Sequence, residues 1–516
     1  MSGSGLDREE SAGRSALVRG ALAVTVATLA VRLLGLVKES ALGSAFGASA
    51  EMDALALALL LPTALATLLA GALPIALIPA YFAEKERSGE PAADRFFASA
   101  STAAIAVLAL ASSAISLAAP AVAAALAPES TPEKIARAAS LLRALAFVLA
   151  ASGLVAVLRS RLFAADRFFV GALGPAFVSA AVLAAVASGL ARTVEGVAAA
   201  LLAGYAAKAV FLSIALLRAR VPLPIGLVRR GTGAGRFFAG TLPIVVGAGV
   251  VSLNGLVDQS IASRLPDGSV AALRFADQIL QIPIALVAMA VSTACLPHFS
   301  RQASSGDVAG LRRSFSSAAR SVLLVALPAS AVLVAVPEAV VSLLFERGAF
   351  DAAATAAVAA PLRIYGLALP FVAYGYVNGR VYNALGQNGV LVKVALATLA
   401  ANLVLDLLLV SPFGTSGIAA ATVLSQGGAA VFLFFLLESR LGVLRDAEFG
   451  RSLVKGISSA AALGALLALV SGGVPPSAAG RSLVVLGVAV PAAAALSLLF
   501  HRAEIVSLVQ ALRRRA

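Results

Sequence analysis

The sequence predicts an all-α membrane protein with 14 transmembrane helices, arranged as two pseudo-symmetric six-helix lobes plus two extra C-terminal helices. Of its 516 residues, 60% are hydrophobic and only 13% are charged, and the mean hydropathy is +0.96. Soluble proteins carry about a quarter charged residues, so this composition excludes a water-soluble enzyme. One bilayer crossing takes roughly 20 apolar residues, which leaves room for a dozen or more helices.

Fourteen apolar runs mark the predicted helices, with a tail at each end of the chain. Residues 1–15 form a cytoplasmic tail, 16–220 an N-terminal lobe with helices 1–6, and 236–440 a C-terminal lobe with helices 7–12. Residues 450–501 hold helices 13 and 14, and 502–516 form a basic cytoplasmic tail. The runs lie at about 16–45, 53–83, 93–119, 135–164, 171–190, 194–218, 236–263, 269–300, 313–336, 352–380, 388–410, 416–438, 452–471 and 481–500.

The distribution of positive charge predicts the orientation of these helices. With the N-terminus in the cytoplasm, 28 of the 40 Lys and Arg residues lie in or beside cytoplasmic segments, and six lie in external loops. This asymmetry follows the positive-inside rule and accounts for the net charge of +14 without a nucleic-acid partner. We therefore expect a multi-pass protein among membrane lipids, with both termini cytoplasmic.

The scarcity of reactive side chains argues against catalysis. The chain has one cysteine, Cys295, and two histidines, His298 and His501, which lie near predicted helix ends. A single cysteine allows no intramolecular disulfide and no thiolate metal cluster. Because no combination of nucleophile, base and metal ligands is visible, we expect a transporter without a resident cofactor, and not an enzyme.

An internal repeat relates the two predicted lobes. Gly35-Leu-Val-Lys-Glu-Ser40 recurs as Gly255-Leu-Val-Asp-Gln-Ser260, at an offset of 220 residues. Each copy is followed by a helix that closes in a proline motif, at Pro79 and at Pro297. Six helices per repeat is an even number, so both copies run the same way across the membrane, with a substrate cavity expected between them.

The first predicted helix carries Arg32, Lys38 and Glu39 in its middle and second half. A charge at mid-membrane costs about 2.5–3.5 kcal/mol, so such side chains usually face a cavity or a partner. Arg32 and Lys38 lining a water-filled cavity suit an anionic headgroup, with phosphate the obvious candidate. Alternatively, Lys38 and Glu39 reach the outer interface and Arg32 pairs with a structural acid.

A second polar set indicates an ion site in the C-terminal lobe. Asn402 and Asp406 are spaced i, i+4 and therefore share one face of helix 11. Asp258 on helix 7, the Thr422 hydroxyl and the Ile418 carbonyl add further oxygen donors. One interpretation is a Na⁺ or H⁺ site that couples transport to an ion gradient. The other is hydrogen bonding between helices, which polar residues often supply in membrane bundles.

The remaining intramembrane polar residues leave two interpretations open. Lys208, Arg274 and Asp277 either line the cavity or form structural ion pairs. Four residues interrupt the second predicted helix and favour a bent or broken segment, as transporters have at binding sites and hinges: Pro62, Gly71, Pro74 and Pro79.

Several motifs resemble those of the bacterial lipid II flippases, the MurJ or MviN family, within the multidrug/oligosaccharidyl-lipid/polysaccharide exporter superfamily. The resemblance extends over about residues 16–440, and its most specific element is Leu344-Phe-Glu-Arg-Gly-Ala-Phe350. The family also has fourteen helices in two six-helix lobes plus two extra helices. The other motifs are Arg32-Leu-Leu-Gly-Leu-Val-Lys-Glu39, Phe46-Gly-Ala, Asp53, Leu61-Pro62, Ile78-Pro79, Leu253-Asn-Gly-Leu-Val-Asp258, Phe275-Ala-Asp277, Leu296-Pro297 and Tyr382-Asn-Ala-Leu-Gly386.

The resemblance implies a flippase that moves lipid II, an undecaprenyl-diphosphate-linked peptidoglycan precursor, from the inner to the outer leaflet of the bacterial inner membrane. It implies alternating access driven by an ion gradient or the membrane potential, with Na⁺ as the candidate coupling ion and the cell-wall synthesis machinery as partner. Its substrate-binding positions are Arg32, Lys38, Glu39, Asp53, Arg274 and Gln278. Its sodium-site positions are Asp258, Asn402, Asp406, Ile418 and Thr422.

The chain also departs from the family pattern, which leaves the substrate open. The segment 63–71 lacks an arginine and an acidic residue of the family, and Gln278 stands where the family has another arginine. Lys38 replaces a third arginine by a point charge without the bidentate fork, and Arg274 or Lys208 could supply compensating charge. The alternatives are an exporter of other polyprenyl-linked glycans, such as O-antigen or exopolysaccharide units, and a non-transporting scaffold derived from a flippase.

Overall fold

The described part of the molecule is helical, which confirms the predicted all-α class. Within that part, nine helical segments are long and apolar enough to cross a membrane. The predicted tails, most of helix 14, Cys295 and His501 lie outside the described residues. The computed structural model describes residues 27–226, 253–294, 296–442, 447–473, 487–488 and 491–492.

The chain divides into two compact units, residues 1–271 and 272–516. The predicted lobe limits, 16–220 and 236–440, stay a prediction, since most residues between them lie outside the described part. The helices of the first unit are α1 (27–46), α2 (Ala50–Leu65), α3 (Gly71–Ser88), α4 (Glu90–Leu117), α5 (Ala119–Leu126), α6 (Pro132–Leu145), α7 (Phe147–Ala164), α8 (Phe168–Leu173), α9 (Ala176–Ala187), α10 (Val194–Arg218) and α11 (253–262).

The second unit contains seven described helices, of which the first begins just before the boundary. Among them, α16 packs against both α14 and α17, and α18 packs against α14. The helices are α12 (Ser269–Ala294), α13 (Leu296–Ser304), α14 (Val308–Ala335), α15 (Pro337–Phe345), α16 (Ala352–Ala384), α17 (Asn388–Leu441) and α18 (Ala447–Gly473).

The order and lengths of the helices agree with the repeat seen in the sequence motifs. The helices α4 and α14 both have 28 residues. Each is followed by a short helix, α5 or α15, that the apolar runs did not predict. Next come 33 residues of helix in both halves, α6 with α7 in one and α16 in the other. The repeated motifs therefore belong to a repeated succession of helices.

The second predicted helix changes its helical geometry at its centre. Pro62 lies inside α2, where it lacks a backbone N–H and crowds the preceding turn. The five residues Ala66–Ala70 then form a π-helical segment before α3 begins at Gly71. The segment predicted to be bent or broken is thus an α–π–α succession. Such π-helical turns often occur at functional sites.

Glycines allow close approach between helices of the first unit. A Cβ on Gly204 of α10 would lie 2.7 Å from the Cα of Val178 on α9. A Cβ on Gly153 of α7 would lie 2.2 Å from Leu108 of α4. Lipid tails are as apolar as the helices, so close packing at small residues stabilises membrane bundles more than hydrophobic burial does.

The element α17 consists of two consecutive helices that meet at Gly414, as the separate runs 388–410 and 416–438 predict. Gly414 has φ 56° and ψ −134°, a conformation that favours glycine. Three residues later, a Cβ on Gly417 would lie 2.1 Å from the carbonyl oxygen of Leu409. The two glycines therefore allow the end of one helix to pack against the start of the next.

We predict that Gly417→Ala destabilises the protein by about 1–3 kcal/mol, because the new methyl group overpacks the contact with Leu409. Thermal unfolding of the purified protein in detergent measures the effect. The matched control is Gly428→Ala on the same element, where a Cβ meets nothing within 4 Å. This control should be neutral or slightly stabilising, and equal loss in both variants would contradict the packing argument.

Candidate functional site

The polar residues of α1 separate into one exposed cation and one ion pair. Arg32 is exposed, and it makes no ion pair with any residue in the described ranges. Lys38 donates to Glu39, with 2.7 Å between its Nζ and the carboxylate Oε1, and Glu39 is buried. Glu39 lies seven residues beyond Arg32, which is close to two helical turns, so it shares the side of Arg32 more closely than Lys38 does. Only Arg32 of these three presents an uncommitted charge.

Asp53 is fully buried and all its contacts are with the protein. Its Oδ2 lies 2.8 Å from the Nζ of Lys134 and accepts a hydrogen bond from the Gly268 N–H at 2.9 Å. Its Oδ1 accepts from the Ala271 N–H at 2.8 Å. Asp267 contributes a second carboxylate, 3.2 Å from Lys134. In this conformation, both carboxylate oxygens of Asp53 are therefore committed to protein donors.

Local sequence signals place the partners of Asp53 at helix N-termini. Asp53 lies in the first turn of α2, behind the N-cap Ser49, and Lys134 lies in the first turn of α6. The two backbone N–H groups that donate to Asp53 lie at the start of α12. The first N–H groups of a helix have no acceptor within the helix and attract a carboxylate. Gly268 has φ +90°, and a Cβ there would lie 2.4 Å from the Ala48 carbonyl oxygen. Glycine is thus required where this turn approaches Ala48, in the loop between α1 and α2.

The predicted residues of α12 lie on its part-buried surface. Arg274 and Gln278 are part-buried and are spaced i, i+4, so they share one helix face. Asp277 accepts a hydrogen bond from the Gln281 side chain at 3.1 Å. The substrate-binding roles of Arg274 and Gln278 stay predictions.

The oxygen-rich set of the second unit is brought together across the break in α17. Asn402 donates to Asp406 at 2.9 Å through its amide, and its carbonyl oxygen accepts from the Ser425 hydroxyl at 2.9 Å. The Thr422 hydroxyl donates to the Ile418 carbonyl at 3.2 Å. Asn402 and Asp406 are fully buried. The helix before Gly414 and the helix after it therefore share one buried polar cluster.

These donors have the chemistry that a small hard cation requires. Carboxylate, amide, hydroxyl and backbone carbonyl oxygens are the ligands that such cations take in proteins. Asp258, on α11 of the first unit, is buried, and its place in the ligand set stays a prediction. Ser425 was missed from sequence, although it lies three residues beyond Thr422 and seven beyond Ile418, hence on the same helix face.

A polar cavity lies within the first unit, between the α–π–α segment, α7 and α10. Its volume is about 230 Å³. Lys208, left open by the sequence, lines this cavity, and so does Arg159, which the sequence analysis did not single out. The polar lining residues are Thr63, Thr67, Ser152, Arg159, Tyr205 and Lys208.

The family model of the lipid II flippase MurJ matches residues 42–484. This chain belongs to the MurJ family. A probable lipid II flippase MurJ of Rhizobium meliloti (strain 1021) is 28% identical over 463 residues, which cover 87% of this chain and 86% of the relative. The lipid II flippase MurJ of Burkholderia cenocepacia is 30% identical over 369 residues, covering 68% and 70%.

Solved structures share the fold at lower identity. A lipid II flippase MurJ in an inward closed conformation has a TM-score of 0.80 at 21% identity and covers 93% of this chain and 99% of its own. An inward-facing multidrug resistance MATE family transporter of the MOP superfamily has a TM-score of 0.67 at 15% identity, covering 82% and 99%. This chain therefore shares the helical fold of these two solved structures.

The MurJ match covers most of the predicted site but not all of it. It includes Asp53, Arg274 and the oxygen cluster of α17, whereas Arg32 and the Lys38–Glu39 pair precede residue 42. Arg32 is therefore a candidate site residue because its charge is exposed on α1. Its binding role stays a prediction.

We predict that Asp53→Asn destabilises the protein by roughly 3–5 kcal/mol, because Lys134 loses its buried countercharge. Unfolding of the purified protein measures the loss. Glu195→Gln, which breaks the exposed contact of Glu195 with Arg137, should cost under about 1 kcal/mol. Adding Lys134→Met to Asp53→Asn should recover part of the stability, and strictly additive losses would contradict the pairing.

Proposed function

We propose that this protein is a lipid II flippase that moves the undecaprenyl-diphosphate-linked peptidoglycan precursor from the inner to the outer leaflet. The observation that carries the proposal is the MurJ family match over residues 42–484. The protein is a multi-pass protein of the bacterial inner membrane, in agreement with its nine apolar helices among the described residues. Translocation needs no covalent chemistry, so no catalytic residue is assigned.

The substrate's diphosphate needs positive charge inside the membrane, and Arg32 is the proposed source in α1. A guanidinium binds phosphate oxygens through two parallel hydrogen bonds, which fixes geometry as well as charge. Arg32 is exposed and makes no ion pair among the described residues, so its donors are available. The Lys38–Glu39 pair next to it is nearly neutral overall and would adjust the local field without binding strongly.

The Asp53 contacts are proposed to hold one conformation of the transport cycle. With both termini cytoplasmic, the starts of α2, α6 and α12 lie on the external side of the membrane. These three helix starts are joined by the contacts of Asp53 with Lys134 and with the N–H groups of Gly268 and Ala271. Opening a path to the outer leaflet requires such contacts to separate, because a buried charge pair cannot stretch without losing its compensation.

An ion is proposed to bias the cycle at the α17 cluster. Asn402, Asp406, Thr422 and the Ile418 carbonyl would hold Na⁺, and a protonated Asp406 is the alternative. A bound cation supplies positive charge that compensates a buried carboxylate. A ligand shifts a conformational equilibrium only through different affinities for the two states, so ion affinity must change between them.

We also propose that the protein contacts the cell-wall synthesis machinery.

We predict that Arg32→Ala abolishes complementation in cells depleted of their essential lipid II flippase, while membrane insertion is unchanged. The reason is the loss of the guanidinium that binds the diphosphate. The control is Arg363→Gln, which removes an exposed partner of Glu338 and should complement normally. Growth and the membrane level of each variant are the measurements.

Full complementation by Arg32→Ala would contradict the headgroup role of this arginine. Failure of the unmodified chain to complement, although it is inserted normally, would favour another polyprenyl-linked glycan as substrate or a non-transporting scaffold.

We predict that Na⁺ raises the melting temperature of the purified protein relative to K⁺ at equal ionic strength. Selective binding to the folded state stabilises it by about 2.7 kcal/mol at a hundredfold excess over Kd. Asp406→Asn keeps the shape but removes the charge, and should abolish the difference. Ser439→Ala, on the exposed part of the same element, should retain it. A Na⁺ response that survives in Asp406→Asn would exclude this site.

A further inference from the structure

The cavity between the α–π–α segment, α7 and α10, here termed the α7–α10 cavity, holds two cations without a countercharge. Arg159 and Lys208 both line it, and none of its lining residues is acidic. Neither side chain makes an ion pair with any residue in the described part of the chain. Placing two part-buried cations in one cavity is unfavourable unless a ligand compensates them.

A neighbouring arginine has the opposite environment. Arg161, two residues beyond Arg159, is buried against Asp94. Its guanidinium also lies over the rings of Tyr81 and Phe97, at 4.7 and 5.5 Å from their centroids. The Nε of Arg159, in contrast, is buried and donates to no acceptor among the described residues. Of these two arginines on α7, one is structural and the other has unused donors.

Two glycines, one in α8 and one in the α8–α9 turn, make room for the two cationic stems. A Cβ on Gly171 would lie 3.2 Å from the Cγ of Arg159, and a Cβ on Gly174 would lie 3.1 Å from the Cε of Lys208. The apolar stems are packed there, while their polar ends line the cavity. The ammonium group of Lys208 also lies 5.6 Å from the ring of Tyr205, so the lysine is held in place without an acidic partner.

The remaining polar lining consists of hydroxyl groups. Ser152 and Tyr205 contribute hydroxyls to the cavity, and both can donate hydrogen bonds to an anion. Thr63 and Thr67 already donate to backbone carbonyls of their own helix. The cavity's volume of about 230 Å³ is below that of drug-sized ligand sites, roughly 300–1,000 Å³. It therefore suits a small anion, such as a phosphate or diphosphate group, better than a larger ligand.

We propose that the α7–α10 cavity is an anion site that binds a phosphate or diphosphate group between Arg159 and Lys208. Arginine supplies planar, bidentate donors and lysine supplies a point charge, a combination suited to phosphate oxygens. The anion comes either from the headgroup of the lipid-linked substrate or from a free inorganic anion. The first source rests on the proposed function, whereas the second does not.

The test uses the full chain in detergent, with inorganic pyrophosphate as the probe and thermal unfolding as the readout. Pyrophosphate should raise the melting temperature of the unmodified protein. Lys208→Met should raise the melting temperature without ligand by about 2 °C or more, because it removes a part-buried cation that makes no ion pair among the described residues. The same variant should lose the response to pyrophosphate. A lysine with a merely structural role would give a lower melting temperature in this variant.

Affinity measurements compare the two cations with matched controls. Equilibrium dialysis with labelled pyrophosphate should show a loss of about 10- to 100-fold in Arg159→Gln and in Lys208→Met. Lys208→Arg keeps the charge and should bind within a fewfold of the unmodified protein, as should Arg363→Gln. No binding by the unmodified protein, or undiminished binding by both charge-removal variants, would overturn the proposal.

Competition in lipid nanodiscs distinguishes the two sources of the anion. Displacement of labelled pyrophosphate by undecaprenyl diphosphate in the membrane identifies the lipid headgroup as a ligand. Retention of pyrophosphate in the presence of the lipid identifies a free-anion site, and the proposal stands in that form. If the unmodified chain binds pyrophosphate at this site but moves no lipid II in vesicles, the proposed function fails and the anion site remains.

Discussion

Charged groups removed from water must be compensated inside the protein, and this constraint governs the polar structure of the bundle. Asp53 is buried against Lys134 and two backbone N–H groups, and Arg161 against Asp94. These pairs do not add much stability beyond an apolar packing of the same volume, but breaking either one leaves an uncompensated charge. Each therefore fixes which helices must meet in a given conformation, and this is how a charge pair can define a state of a transporter.

The exceptions to this rule identify the places where a ligand is expected. Arg32 is exposed on α1, and Arg159 with Lys208 lines a cavity without an acidic residue. All three are cations, in a family whose members are lipid II flippases. Cations that have no countercharge among the described residues match a diphosphate-bearing substrate, because the bound anion would supply the negative charge that compensates them.

Irregular helix geometry accompanies both polar centres. The π-helical segment Ala66–Ala70 borders the cavity with Arg159 and Lys208. The break at Gly414 brings Asn402 and Ser425 into hydrogen-bonding distance from either side. A regular helix pairs all its own backbone groups within the segment, so it offers a ligand only side chains. Local irregularity, a π-helical segment in one case and a break at a glycine in the other, changes the direction in which these side chains project.

The long apolar helices follow from the amino-acid sequence alone, because the length and hydropathy that a bilayer crossing requires are properties of one segment, whereas the short helices α5 and α15 were not predicted. The run 194–218 became α10 with the same ends, and the division of helices 11 and 12 falls at Gly414. The oxygen donors of residues 402–422 were also predictable, since their spacing alone puts Asn402 and Asp406 on one face. These features depend on hydrocarbon solvation and on hydrogen bonds between near neighbours along the chain.

The pairing of the polar groups, in contrast, depends on the tertiary structure. Asp53 and Lys134 lie 81 residues apart, and nothing near either residue specifies the other. Arg159 and Arg161 are two residues apart and chemically identical, yet one lines a cavity while the other is buried against Asp94. Such differences arise from which helix faces meet, and that depends on packing among many residues far apart in the chain.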